Sequence, residues 1–115
     1  MAKWYKITEI KNIPSMGSRI VEIGEIEIAI FKTKDGSIFA INNMCPHKKG
    51  KLSEGLVHEH IVTCPLHSWE IDLKNGEALG NDSGCTNVYE SKIENDFLYI
   101  NISTFAHKKS SISYV

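Results

Sequence analysis

Two short runs carry residue types that bind metal: Cys45-Pro46-His47 and Cys64-Pro65-Leu66-His67, separated by residues 48–63. Each supplies one thiol and one imidazole. Thiolates neutralise and stabilise ferric iron, whereas neutral imidazoles are weaker donors, so two of each would leave a two-iron cluster less negative than four thiolates. The reduced state would gain accordingly. The same four groups could make a tetrahedral zinc site, but zinc fingers usually keep a Cys pair apart from a His pair, and here each run mixes the two. A third reading, two buried thiols beside incidental histidines, leaves the matched proline-bearing runs without a reason. Pro46 and Pro65 fix φ and remove a backbone donor directly beside each Cys, which would stiffen loops that must present ligands with little freedom.

Other residues near these runs have weaker chemical signals. Lys48, Lys49 and Lys51 could form a cationic collar that steers an acidic redox partner, or simply a solvated loop. His58 and His60 repeat no ligand spacing and are expected on a hairpin or the surface. Cys85, after Gly80-Asn81-Asp82-Ser83-Gly84, is expected to be a buried thiol rather than a fifth ligand. Trp69 could shield a cluster from water, although a core aromatic on a strand needs no such role. Leu52, Leu56 and Leu66 could cover the site or pack in an ordinary core. No catalytic residue is expected, and no 2-His-1-carboxylate set is spare for an oxygenase centre.

The elements that must hold these runs are strands. WYKITEI, RIVEI, IEIAIFKT, SIFAINN, HIVTC, WEIDL, TNVYESKI and FLYINIS recur as short β-rich stretches. Lys34-Asp35-Gly36, Lys74-Asn75-Gly76 and Glu94-Asn95-Asp96 sit between such stretches and supply residues that tolerate positive φ. Ile26–Ile30 and Phe97–Ile102 alternate cleanly, so one face would meet the core and the other water or a second layer. The expected class is all-β, with antiparallel sheets forming a sandwich or open barrel. One domain spans residues 1–115, with a small two-loop subdomain at about 43–68. Residues 105–115 show no period and are expected as a loose tail or a strap.

Composition narrows the partners. The 115 residues are 42% apolar and 23% charged, with a formal net charge of -1, which suits a globular chain with one core and no polyanion-binding excess. Nucleic acid is not an expected partner. No uncharged stretch approaches the ~20 residues of a membrane span, and the opening MAKWYKITEI lacks the apolar run of a signal peptide. The expectation is a cytoplasmic protein. Three cysteines, an odd number in a reducing compartment, argue for metal binding over a disulfide framework.

The spacing C-x-H, then C-x-x-H, resembles the Rieske signature, in which two cysteines bind one iron and two histidines the other. CPHKKGKLSEGLV, VTCPLHSWEIDLKNGEALG and the Gly84-Cys85 pair further resemble the small subunit of assimilatory NAD(P)H-dependent nitrite reductase. That resemblance implies a three-layer antiparallel Rieske fold. It implies one [2Fe-2S] cluster per chain, with Cys45 and Cys64 on the buried iron and His47 and His67 on the outer one. It also implies an electron-transfer role, inactive alone, beside a large subunit that carries flavin and siroheme and reduces nitrite to ammonia. Respiratory Rieske proteins add a cysteine to each loop to tie the loops together. Here Lys49 and Leu66 occupy that region, so the loops must be held by packing. Those proteins also set Ser and Tyr hydroxyls after the second loop, where this chain reads Ser68-Trp69-Glu70-Ile71. Fewer hydrogen bonds to sulfur should lower the potential, towards about -150 mV. Histidine ligation should also make the potential fall as pH rises through the oxidised-state pKa. A free-standing Rieske ferredoxin for a ring-hydroxylating dioxygenase would use the same ligands, and a zinc-bound interaction module would carry no electrons.

Overall fold

The computed structural model describes residues 3–45, 50–65, 69–79, 84–102 and 112–114, the last as backbone only. Ten strands form in chain order: β1 (Trp4–Glu9), β2 (Ser18–Ile23), β3 (Ile26–Lys32), β4 (Ile38–Asn42), β5 (Leu56–His58), β6 (Ile61–Thr63), β7 (Glu70–Asp72), β8 (Val88–Glu94), β9 (Phe97–Asn101) and β10 (Ile112–Tyr114). The helical residues described are two single 3₁₀ turns, Ile10–Asn12 and Leu52–Glu54. Seven strands make one antiparallel sheet in the order β1-β9-β8-β4-β3-β2-β10, and β5-β6-β7 make a second.

Turn chemistry sets the register. Asn95 and Asp96, both at positive φ, close the two-residue turn between Glu94 and Phe97, the geometry whose twist suits a hairpin. Gly24 at φ 63° opens the two-residue turn joining Ile23 to Ile26. In the β3–β4 hairpin the Asp35 side chain accepts from the Thr33 hydroxyl and from the Ser37 amide. These donors hold the exposed Asp35 carboxyl below the usual aspartate range, the Thr33 hydroxyl contributing most.

The length of the chain suggests one core, but its apolar residues bury in two. Ile28 and Ile30 of β3 join Ile7, Val21, Ile23, Leu98 and Ile100 in the first. Ala29 and Phe31, on the opposite face of the same strand, join Leu52, Val57, Val62, Ile71 and Leu73 in the second. Alternation along a strand thus makes β3, with β4, the middle of three layers, and both of its faces are dry. The second core is shared with the small sheet, and both Cys45, after β4, and Cys64, after β6, belong to it.

The structure adds two strands to those read from sequence. β5 follows no turn signal, because the two-residue turn after it is Glu59-His60, with Glu59 at φ 54°. β10 pairs with β2 through Ile112↔Ile23, Ser113↔Glu22 and Tyr114↔Val21. Part of the expected tail is therefore a strap, while residues 105–111 and 115 lie outside the described residues.

Candidate metal centre

Each cysteine stands where a strand or its extension ends and a loop begins. Cys45 follows β4 by three residues and Cys64 follows β6 directly. The two are closed off by the same device. The Cys45 amide donates to the Gly50 carbonyl at 2.8 Å, and the Cys64 amide donates to the Trp69 carbonyl at 2.7 Å. In each case the chain returns five residues later to pair with the backbone of the cysteine. Pro65 lies at the turn of the second loop and is exposed, where a fixed φ helps and a missing N–H costs nothing.

Both cysteine side chains are buried, at 2% and 1% exposure, and both belong to the second core beside Leu52, Val62 and Ile71. Two thiols from two loops in one apolar cluster are the buried half of the donor set that a ferric iron would need, and the dry surroundings would keep water from it. The other half, His47 and His67, lies outside the described residues, as do Pro46, Lys48, Lys49, Leu66 and Ser68.

Trp69 is half-buried against the second core. It precedes β7 rather than lying on a strand, and its carbonyl serves the second loop while its ring packs below it. Leu52 is fully buried next to the cysteines, whereas Leu56 is 76% exposed. His58 ends β5 and His60 lies in the β5–β6 turn, hairpin positions as expected. His58 lies 3.3 Å from the Thr63 hydroxyl and 3.6 Å from the Glu70 carboxylate.

One expectation is corrected. Cys85 is exposed, not buried: it forms an antiparallel bridge with Glu77 in an extension of the small sheet, and the second core fills without it. Lys51, read from sequence as part of a cationic collar or of a solvated loop, carries an ion pair. Its ammonium sits 2.9 Å from the Glu27 carboxylate, with Glu54 and Glu22 adding attraction, and the Glu27 partner raises its pKa most. Reciprocally, the hydrogen bond from Lys51, opposed by burial and helped by Asn43, holds the Glu27 carboxyl below the ordinary glutamate range.

The sequence did not single out Asn43, which is buried at 6% exposure two residues before Cys45. Its amide nitrogen donates to the Glu27 carboxylate at 2.7 Å and to the Ser53 hydroxyl at 3.0 Å, and its amide oxygen accepts from the Ser53 backbone at 2.7 Å. The only available signal was an Asn at the end of a strand, which also reads as an ordinary turn residue.

Residues 3–90 match the Rieske [2Fe-2S] domain family, and the chain belongs to it. Its cofactor is therefore a Rieske-type [2Fe-2S] cluster, its role is that of an electron-transfer domain within an oxidoreductase system, and the zinc-module reading is set aside. Among similar proteins, the ferredoxin component of the naphthalene 1,2-dioxygenase/salicylate 5-hydroxylase systems of Ralstonia is 31% identical over 98 residues, covering 80% of this chain and 88% of that one. A nitrite reductase [NAD(P)H] of Emericella nidulans is 38% identical over 73 residues, covering 58% of this chain and 6% of that much longer protein. The E. coli protein NirD has the same fold, with a TM-score of 0.80 at 24% identity over 90% of this chain and all of that one.

Proposed function

We propose that this chain is the electron-transfer small subunit of an assimilatory NAD(P)H-dependent nitrite reductase. Cys45 and Cys64 would hold the inner iron of its cluster, and His47 and His67 the outer one. The observation that carries the ligand assignment is the matched pair of buried cysteines, each opening a loop closed by its own amide and each loop bearing one of the histidines. A bound [2Fe-2S] cluster supplies storage for a single electron. The chain's own part is to fix the thiols by the two loop closures, to exclude water from the cysteine side with Leu52, Val62 and Ile71, and to leave the histidine side for a partner.

The nitrite reductase reading is favoured by the run LHSWEIDLKNGEALG and by the 38% identity to the Emericella nidulans enzyme. On this reading the chain is one domain over residues 1–115, works in the cytoplasm and docks on a large siroheme flavoprotein. The relatives that are dioxygenase ferredoxin components match over a greater length, which keeps a second reading in play: a ferredoxin that serves a ring-hydroxylating dioxygenase.

Purification of the tagged chain from its native cells grown on nitrite separates the two. We expect a large siroheme flavoprotein in the eluate. A coloured protein emerging with an oxygenase or its reductase would replace the nitrite reductase reading with the ferredoxin one.

A further inference from the structure

The first cysteine loop is framed by a set of polar contacts that neither core requires. Asn43 stands just before Cys45, while Lys51 and Ser53 stand just after Gly50, so one buried carboxamide joins the two ends of the segment that contains the loop. Its nitrogen reaches both the Glu27 carboxylate and the Ser53 hydroxyl, and its oxygen takes the Ser53 amide. The Asn43 backbone amide also donates to the Glu27 carbonyl at 2.9 Å. Two strands of the base anchor the frame. Glu27 belongs to β3 and is further tied to Lys51, and the Ser18 hydroxyl of β2 donates to the Ser53 carbonyl at 2.8 Å.

The chemistry of this position admits few side chains. The nitrogen faces a carboxylate and must donate, while the oxygen faces an N–H and must accept, so the amide orientation is fixed. Aspartate would set a second carboxylate against Glu27. Leucine would fit the volume but abandon three hydrogen bonds and leave the Glu27 carboxylate and the Ser53 amide without them. Among the described residues the buried polar side chains are Thr33 and Asn43, and Asn43 is the one beside a cysteine loop.

We propose that Asn43 is a positioning residue for the cluster: through Ser53 and Glu27 it holds the two ends of the first loop at a fixed separation, and thereby fixes Cys45 relative to the base. This rests on the reading that the first loop carries cluster ligands. It goes beyond that reading in assigning the retention of the cluster to a polar frame outside the ligand set. Groups that orient metal ligands typically change metal affinity by about 10–100-fold when removed.

The test compares cluster-loaded wild type, Asn43→Leu, Ser53→Ala and, as a control for general destabilisation, Ile100→Val in the first core. For each, the decay of visible cluster absorbance in excess iron chelator, the EPR line shape of the reduced protein and the thermal midpoint are recorded. We expect Asn43→Leu to lose its cluster about tenfold faster or more with a broadened EPR signal, and Ser53→Ala to fall between it and wild type. Ile100→Val should keep the wild-type decay and line shape despite a lower midpoint. Wild-type decay and line shape in Asn43→Leu would overturn the proposal, as would decay rates in all variants that simply follow the thermal midpoint. Should Asn43→Leu fail to assemble, Ser53→Ala decides: faster decay supports the frame, and wild-type decay overturns it. A wild-type protein that never takes up a [2Fe-2S] cluster would overturn the ligand assignment itself, an outcome distinct from the others.

Discussion

Cys45 and Cys64 reach burial by the same local means, an amide bonded to a carbonyl five residues on, and this shapes the redox chemistry available to them. Hydrogen bonds to cluster sulfur raise a potential by stabilising the extra negative charge of the reduced form. Here both cysteine amides are already committed to Gly50 and Trp69. Beyond the second loop, Trp69 and Ile71 pack into the apolar core where hydroxyl donors would otherwise stand. Asn43, a buried polar side chain two residues before Cys45, is occupied by Glu27 and Ser53. With Trp69 and Ile71 in place of hydroxyl-bearing residues after the second loop, we expect a midpoint near the low end of the Rieske range, about -150 mV, by protein film voltammetry. A strongly positive midpoint would contradict this expectation.

At the scale of elements, the chain entering β5 passes close against the end of β6, where the second loop starts. Gly55 has an ordinary φ of -85°, yet a Cβ there would collide with the Thr63 carbonyl, next to Cys64. Gly55→Ala would therefore drive backbone against backbone at the root of the ligand loop. We expect a loss of about 1–3 kcal/mol, the usual cost of overpacking, in urea unfolding, together with poorer cluster retention. Gly76, at φ 78° with the Thr86 carbonyl equally close, faces both a conformational and a steric barrier to any side chain.

The Glu27–Lys51 pair couples β3 to the segment after the first loop, and its pH dependence has a definite sign. The Glu27 carboxyl is depressed in the folded state, so its contribution is complete above the unfolded glutamate value of about 4.3 and disappears as pH falls through its own lower value. Lys51 is raised, so its share is complete below about 10.4 and is lost as pH rises beyond it. Glu27→Gln should lower the urea midpoint at neutral pH, and the gap to wild type should close as the solution is acidified below the glutamate range. A gap that stayed constant with pH would assign the loss to packing instead of charge.

At the scale of the whole molecule, most strands were legible because alternation and turn residues announce them. Asn95-Asp96 and the Asp35-Gly36 turn stood where the hairpins form, and the alternation of Ile28, Ala29, Ile30 and Phe31 was visible as a strand pattern. What the pattern cannot reveal is that both faces are buried, since that depends on which distant strands cover them. β5 escaped because Glu59-His60 is not a composition that signals a turn. Cys85 was misjudged because a lone cysteine is most often buried, and only the bridge to Glu77 shows that it lies on an exposed extension of the small sheet. The candidate ligands themselves stood out, since metal-binding residue types at fixed spacing are rare by chance. The frame around Asn43 did not, because Glu27, Asn43 and Ser53 meet only after folding.

The central claim is that two histidines of this chain, His47 and His67, complete the ligand set begun by Cys45 and Cys64. Pulsed EPR of the reduced protein tests it most directly, recorded with natural-abundance and ¹⁵N-histidine-labelled samples. We expect strong couplings from two imidazole nitrogens, shifted by the label and lost in part when either His47 or His67 is replaced, but unchanged by His58→Gln or His60→Gln. A reduced cluster with no strongly coupled histidine nitrogen would contradict the assignment.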